Sequence, residues 1–492
     1  MKKILITVIT ITGIFAAGCK KQLEKEPIGL TSIDQVNTAP TLNTVETAVS
    51  SSYELLSNRL NILAEWDWGG GLVFQNDYVL DGIASDDMEK KWSADGDQPW
   101  MDEINNFNFT ATNGGPNGLW KYDYEGIKRI NLGISFLTNP NIETITGITT
   151  ARKNQLLGEA YFLRAYYYFS LVTHFGDVPL ILAPVQTYQE AFEVAVRENK
   201  DEVWKQIKAD LTLSKGLLPA SKFSSDTEKW RVSKGAAIAM LAKAELYTQQ
   251  WNNVLTNIAE LDALGFYDLN ENYFNSFNTE FTDKEVIFAY DHQSNQTPRR
   301  GNGICAPLGW GFFAPSEDFM NSFEANDPRK LYTVDVTNQN VNKMLGSTDG
   351  SNKGNDDAPN NRIYIRYADV LLWKAEADLE TGKYTEAVEL INRVRQRART
   401  TEIVGGGTAP AGTLPDRAAS TDPAQIKTWL IAERRSELGF ENQRMPDLKR
   451  WGIAKAVLTA KGKNFQDKHM LYPIPQGEID ASAGTLTQND GY

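Results

Sequence analysis

The sequence predicts a mainly α-helical protein, with helical hairpins stacked into a curved layer, long irregular loop-rich insertions and little strand. Three observations carry that expectation. Apolar residues recur at spacings of three and four over 45–60, 119–137 and 154–173, the period of one helix face. A helix–turn–helix stretch recurs later in the chain in altered form. Period-two alternation, the mark of a half-buried strand, is scarce.

Taken in order, the chain opens on Met1-Lys2-Lys3 and a twelve-residue apolar stretch, ILITVITITGIF (4–15). A spanning helix needs about 20 apolar residues, so this stretch reads as an export signal. The small residues Ala16-Ala17-Gly18 stand directly before Cys19, and that pattern resembles a bacterial lipobox, with Ala16 where Leu is usual. The resemblance implies removal of residues 1–18 and acylation of Cys19. Ordinary cleavage without a lipid is the plainer alternative. Residues 19–45 are polar and turn-rich and read as the anchor and tether, leaving 46–492 as the folded body. Cys305 is then the only other cysteine, so no internal disulfide supports the exported chain.

Within the body, AELYTQQW (244–251) aligns with ADLETGKY (377–384), sharing Ala, Leu, Thr and a final aromatic at identical spacing. Each lies between two apolar helical stretches. Gly382, Tyr384 and Ala387 fall where a tetratricopeptide-like hairpin places its turn, aromatic wedge and small contact residue. Such hairpins bury their faces only by stacking, which is the basis of the curved layer. Two regions, 61–118 and 265–362, break the helical pattern with Gly, Asn, Asp and aromatics. Five of the twelve tryptophans (66, 68, 92, 100 and 120) lie in or just beyond the first. Irregular segments of that length are functional loops or disorder, and their tryptophan content argues for loops.

Hydrophobic residues make up 41% and charged residues 23%, as in a globular protein, and the net charge is −13. With no basic stripe to offset it, that charge excludes a nucleic-acid track.

Four blocks then occur in order along the chain: FLRAYYYFSLVTHFGDVPL (162–180), YIRYADVLLWKAEA (364–377) continued by INRVRQRA (391–398), ERRSELGFENQRMPDLKRW (433–451), and the ending YPIP (472–475) with QNDGY (488–492). Together they resemble the SusD/RagB family of outer-membrane nutrient-binding lipoproteins. Met445-Pro446 and Asp490 depart from the family pattern. The resemblance implies a surface glycan-binding lipoprotein facing the cell exterior. It would capture oligosaccharide and cap a SusC-like TonB-dependent transporter as a lid, with no bond cleavage. It further implies that the helical layer faces the transporter and the loop-rich side faces the ligand.

The residues themselves weigh the candidate sites. In the first block Phe162, Ala165, Tyr166, Phe169 and Val172 share one helix face, and Tyr167, Tyr168 and Leu171 cover much of the rest. This row is therefore packing rather than a ligand box. In ERRSELGFENQRMPDLKRW, five basic residues sit among Glu433, Glu437, Glu441 and Asp447. They would keep those acids ionised in an ion-pair network, not raise a catalytic acid. His174, His292 and His469 are the only histidines, and no HExxH, GxSxG or CxxC cluster exists, so no catalytic set is assigned. Asp81, Asp86, Asp87, Asp95 and Asp97 could offer oxygens to Ca²⁺ but lack EF-hand spacing. Helix capping and turns are the alternative, and no other cofactor is indicated.

A sugar site needs an aromatic plate for C–H faces, with carboxylates or amides around it for hydroxyls. Trp68, Trp92 and Trp100 among Asn76, Asp86 and Asp87 meet that description, as do Trp310 and Phe312 in GWGFFAPSEDF. A RagB-type peptide-binding lipoprotein remains the first alternative. A glycoside hydrolase with two opposed carboxylates remains the second.

Overall fold

The computed structural model describes residues 39–56, 71, 75–91, 96–277, 282–296 and 300–492. Cys19, Trp66, Trp68, Trp92 and Asp95 lie outside the described residues. Among the described residues, no helix is long and apolar enough to cross a membrane.

The helices confirm the mainly α expectation, and most of their boundaries follow from local chemistry. Helix α1 (Leu42–Tyr53) starts where the Thr41 hydroxyl accepts from Thr44 N. Strand β1 (Met88–Lys90) and helix α2 (Pro99–Asn106) follow. Helix α3 (Gly114–Leu137) is capped by Asn113, whose Oδ1 accepts from Gly115 N at 2.9 Å, and Pro116 sits harmlessly in the first turn. Helix α4 (Thr150–Phe175) contains the tyrosine row, and Gly176, at φ 74°, ends it. Strand β2 (Val178–Pro179), helix α5 (Tyr188–Val194) and strand β3 (Arg197–Glu198) form a short excursion from the body. Helix α6 (Lys200–Leu217) leads to the hairpin α7 (Lys234–Tyr247) and α8 (Trp251–Ala263).

Strand β4 (Val286–Tyr290), helix α9 (Cys305–Trp310) and strand β5 (Phe313–Pro315) lie in the second loop-rich region. Strand β6 (Arg362–Arg366) closes it, and the second hairpin is α10 (Tyr367–Glu380) with α11 (Tyr384–Thr400). Helices α12 (Pro423–Leu438), α13 (Arg444–Arg450) and α14 (Gln476–Ala481) complete the elements used below. The layer is continuous: α1 packs on α3, α3 on α4, α4 on α6, α6 on α7, α8 on α10, and α12 on both α10 and α11. The described strands form three antiparallel pairs only, β1–β5, β2–β3 and β4–β6.

The tyrosine row sits inside this layer. Tyr167 and Tyr168 are fully buried, and their hydroxyls reach Ser52 O and Ile181 O. Phe169 packs edge-on against Trp204 and Tyr247. The end of α4 is closed from far away in sequence. Tyr472 N donates to His174 O at 2.7 Å, and Asn489 Nδ2 donates to Phe175 O at 2.9 Å, satisfying two carbonyls left open at the helix end.

Candidate functional site

The β1–β5 ladder brings the two loop-rich regions together. Met88 pairs with Pro315 and Lys90 with Phe313, and Ser316 extends the contact by donating from N to Asp87 O and from Oγ to Asp86 O. Four of the sequence-selected residues, Asp86, Asp87, Trp310 and Phe312, thereby lie on adjoining segments.

Trp310 is the last residue of α9 and is 42% exposed. The mount beneath it is built closely. Gly309 lies against the backbone of Gly354, where a Cβ would stand 2.3 Å from its Cα, so only glycine fits. Gly311, at φ 84°, terminates the helix and turns the chain into β5. Phe312 is buried, its ring edge-on to Trp310 with centroids 6.3 Å apart, and Lys90 Nζ lies 5.4 Å from its ring centre. The indole is thus presented from a stiff turn. Phe312 acts as its support rather than as a second exposed plate.

Asp86 and Asp87 face inward. Arg444 donates from Nε and Nη2 to the two oxygens of Asp86, both at 2.8 Å, and Arg435 donates from Nε to Asp87 Oδ1 at 2.7 Å. Burial alone would raise the Asp86 carboxyl, but the Arg444 and Arg435 charges outweigh it and hold it below the usual range. Burial dominates at Asp87, whose carboxyl is pushed up. This pair therefore clamps the loop to the segment 433–451 and does not offer oxygens outward. Trp100, in the first turn of α2, is 5% exposed and donates from Nε1 to Gln98 Oε1 at 2.9 Å, which makes it a plug on the buried face of that helix.

The described aspartates considered for Ca²⁺ do not gather into one site. Asp81 faces His174, with Nε2 at 3.2 Å, and among the described residues no group of three or more His, Cys, Asp or Glu is arranged to hold an ion. Asp81 and His174 border a small, partly open cleft of about 90 Å³ beside Tyr166, Lys243 and Arg362. That volume suits ordered water, not a sugar.

The segment 433–451 is an ion-pair hub. Glu437 accepts from Arg329, Arg366 and Arg397, Glu433 from Arg329 and Arg395, and Glu441 from Arg366 and Lys343. Burial would raise Glu437, yet the surrounding cations bring it down to about 2. A carboxyl held there cannot serve as a general acid near neutrality.

Sequence comparison agrees with this architecture. Residues 325–492 match a family model described as SusD family, and residues 40–246 match one described as Starch-binding associating with outer membrane. A SusD-like protein P2 of Formosa agariphila is 26% identical over 551 aligned residues that span 100% of both chains. A SusD-like protein of Bacteroides ovatus is 24% identical, over 92% of this chain and 83% of its own. Among solved structures, a laminarin binding SusD-like protein superimposes with a TM-score of 0.73 at 23% identity, covering 92% of this chain and 100% of that one. Surface glycan-binding protein A from Bacteroides thetaiotaomicron, in complex with laminarihexaose, also gives 0.73, at 21% identity, covering 91% and 99%.

Proposed function

The chain is a SusD-like family protein, and we propose from that premise that it captures oligosaccharide at the outer-membrane surface. Lipid on Cys19 tethers it there, and it passes its ligand, as a lid, to a SusC-like TonB-dependent transporter. SusD-like proteins bind carbohydrate and are not enzymes, so delivery involves opening and closing, with no bond cleaved. The association with the outer membrane is supported by the description of the matching family model. Carbohydrate binding is supported by structural neighbours, one a laminarin binding SusD-like protein and one solved in complex with laminarihexaose.

The observation that carries the proposal is Trp310. It is an exposed indole on a stiff glycine-bracketed turn, at the junction of the two loop-rich regions. Such a plate stacks on the C–H face of a sugar ring, while hydroxyls take their partners from the flanking loops.

The test is titration calorimetry of residues 20–492 against neutral oligosaccharides, laminarihexaose among them, and against peptides. Wild type is expected to bind one glycan. Trp310→Ala should lose about tenfold or more in affinity with its melting temperature unchanged. Binding of peptides alone would overturn the proposal in favour of peptide uptake.

A further inference from the structure

A second built cleft lies on surface that shares no residue with the Trp310 mount. Its volume is about 670 Å³, within the range of small-molecule sites. The floor is Trp120 and Tyr124 of α3, with ring centroids 4.7 Å apart. Tyr124 is fixed by donating from its hydroxyl to Pro179 O at 2.9 Å. The lip is α5, none of whose residues is buried. Tyr188 is 90% exposed and Phe192 41%, and neither makes a ring contact or a side-chain hydrogen bond among the described residues. Five of the exposed large apolar residues (Leu182, Val185, Tyr188, Phe192 and Val196) fall within this one excursion.

The lip is held in place from both ends. Pairing of β2 with β3 closes the base of the excursion, and Arg197 donates to Asp177 O, Thr487 O and Gln488 O. Thr485 Oγ1 donates to Ala195 O. On the far side, Glu478 of α14 and Lys121 of α3 line the cleft, and neither side chain has a hydrogen-bond or ion-pair partner among the described residues. Glu478 is half-buried, and that burial, more than the nearby Lys121 offsets, pushes its carboxyl up.

Resting on the reading above of carbohydrate capture, we infer that this cleft is a second saccharide site, taking a neutral oligosaccharide between Tyr188 and the Glu478–Lys121 edge. The chemistry discriminates among guests. A purely apolar guest would cover Glu478 and Lys121 without giving them partners, which is costly. On the walls Lys121 and Lys128 offset Glu125 and Glu478, so a polyanion finds no net positive charge there and meets Glu190 and Glu193 on the lip. A neutral sugar ring satisfies every group. Its C–H face lies on the exposed tyrosine, one hydroxyl donates to the carboxylate, and another accepts from the ammonium. With Trp310 holding another stretch of the same polymer, the two sites would raise avidity for long chains over short ones.

The test is hydroxyl-radical footprinting of residues 20–492, with Tyr188 and Phe192 as the reporters. The probes are laminarihexaose, maltohexaose, cellohexaose and xylohexaose, followed by calorimetry on the Trp310→Ala background. Oxidation of Tyr188 is expected to fall severalfold with one of these sugars. Tyr188→Ala and Glu478→Gln should each weaken the binding that survives Trp310→Ala by about tenfold. If wild type binds a glycan while Tyr188 oxidises at an unchanged rate and both substitutions are silent, the second site is overturned and carbohydrate capture stands. If no sugar binds wild type, both fall. Protection of Tyr188 by peptides alone also overturns the inference, by assigning the cleft to a different ligand.

Discussion

Both ring nitrogens of His174 face acceptors: Nδ1 lies 2.7 Å from Ser170 O, and Nε2 lies 3.2 Å from each oxygen of Asp81. Only the imidazolium donates from both. Burial alone would lower this histidine and Lys449 adds to that effect, but Asp81 prevails and the ring is raised above its ordinary 6.5. A raised folded value means the pair's contribution is fully present below about pH 6.5 and is lost as pH climbs through the folded value. His174→Gln should therefore destabilise the chain more near pH 6 than near pH 9, as read from urea midpoints. Equal losses at the two pH values would show a neutral ring. At this scale the sequence was only partly legible. That the tyrosines were core followed from their period. That Asp86 and Asp87 turn inward did not, because Arg435 and Arg444 reach them across about 350 positions. Trp100 and Trp310 look alike in sequence, and only the packing around each separates a plug from a plate.

The two hairpins repeat each other down to single hydrogen bonds. Thr248 N donates to Ala244 O and Thr381 N to Ala377 O, both at 3.1 Å. The threonine hydroxyls donate to the same carbonyls, and Gln250 N and Lys383 N close the turns on Glu245 O and Asp378 O. The shared Ala, Thr and aromatic spacing made this element readable beforehand, since each residue has a local job. One position differs. Gly382 adopts φ 79° without strain, whereas its counterpart Gln249 is held at φ 56°. Gln249→Gly is expected to stabilise the chain by about 1 kcal/mol, and Gly382→Ala, which meets nothing within 4 Å, to cost about as much. Urea midpoints at constant slope measure both. The excursion carrying α5 was not readable in the same way. Its exposed apolar residues carry no helical signature of burial, and Trp120 lies close in sequence to the loop tryptophans although it floors a different cleft.

Across the whole molecule, buried ion pairs join the loop-rich regions to the helical layer. Glu285, just before β4, meets Arg366 of β6 and Arg397 of α11, both of which also reach Glu437 of α12. All four are buried, so removing one partner strands the others in a medium that cannot solvate them. Glu437→Gln should cost about 3 kcal/mol or more at neutral pH. Because the folded value is depressed from 4.5 to about 2, that loss should shrink as pH falls between those two values. A penalty independent of pH over that range would mean that the carboxylate charge is not what joins these elements. The partners come from four separate stretches, which explains why the sequence indicated an ion-pair network without indicating which acid meets which base.

The clasp at the end of α4 sets the order in which such a chain completes itself. Asn489 reaches Phe175 O across 314 positions, and Asn489 also donates to Tyr472 O. A polypeptide that emerges N-terminus first has its Tyr-rich helix in hand long before the residues that close it exist. Closure of the helix therefore waits on residues made about 300 positions later. Until they are in place, the Phe175 and His174 carbonyls at that helix end lack the partners they have in the folded chain.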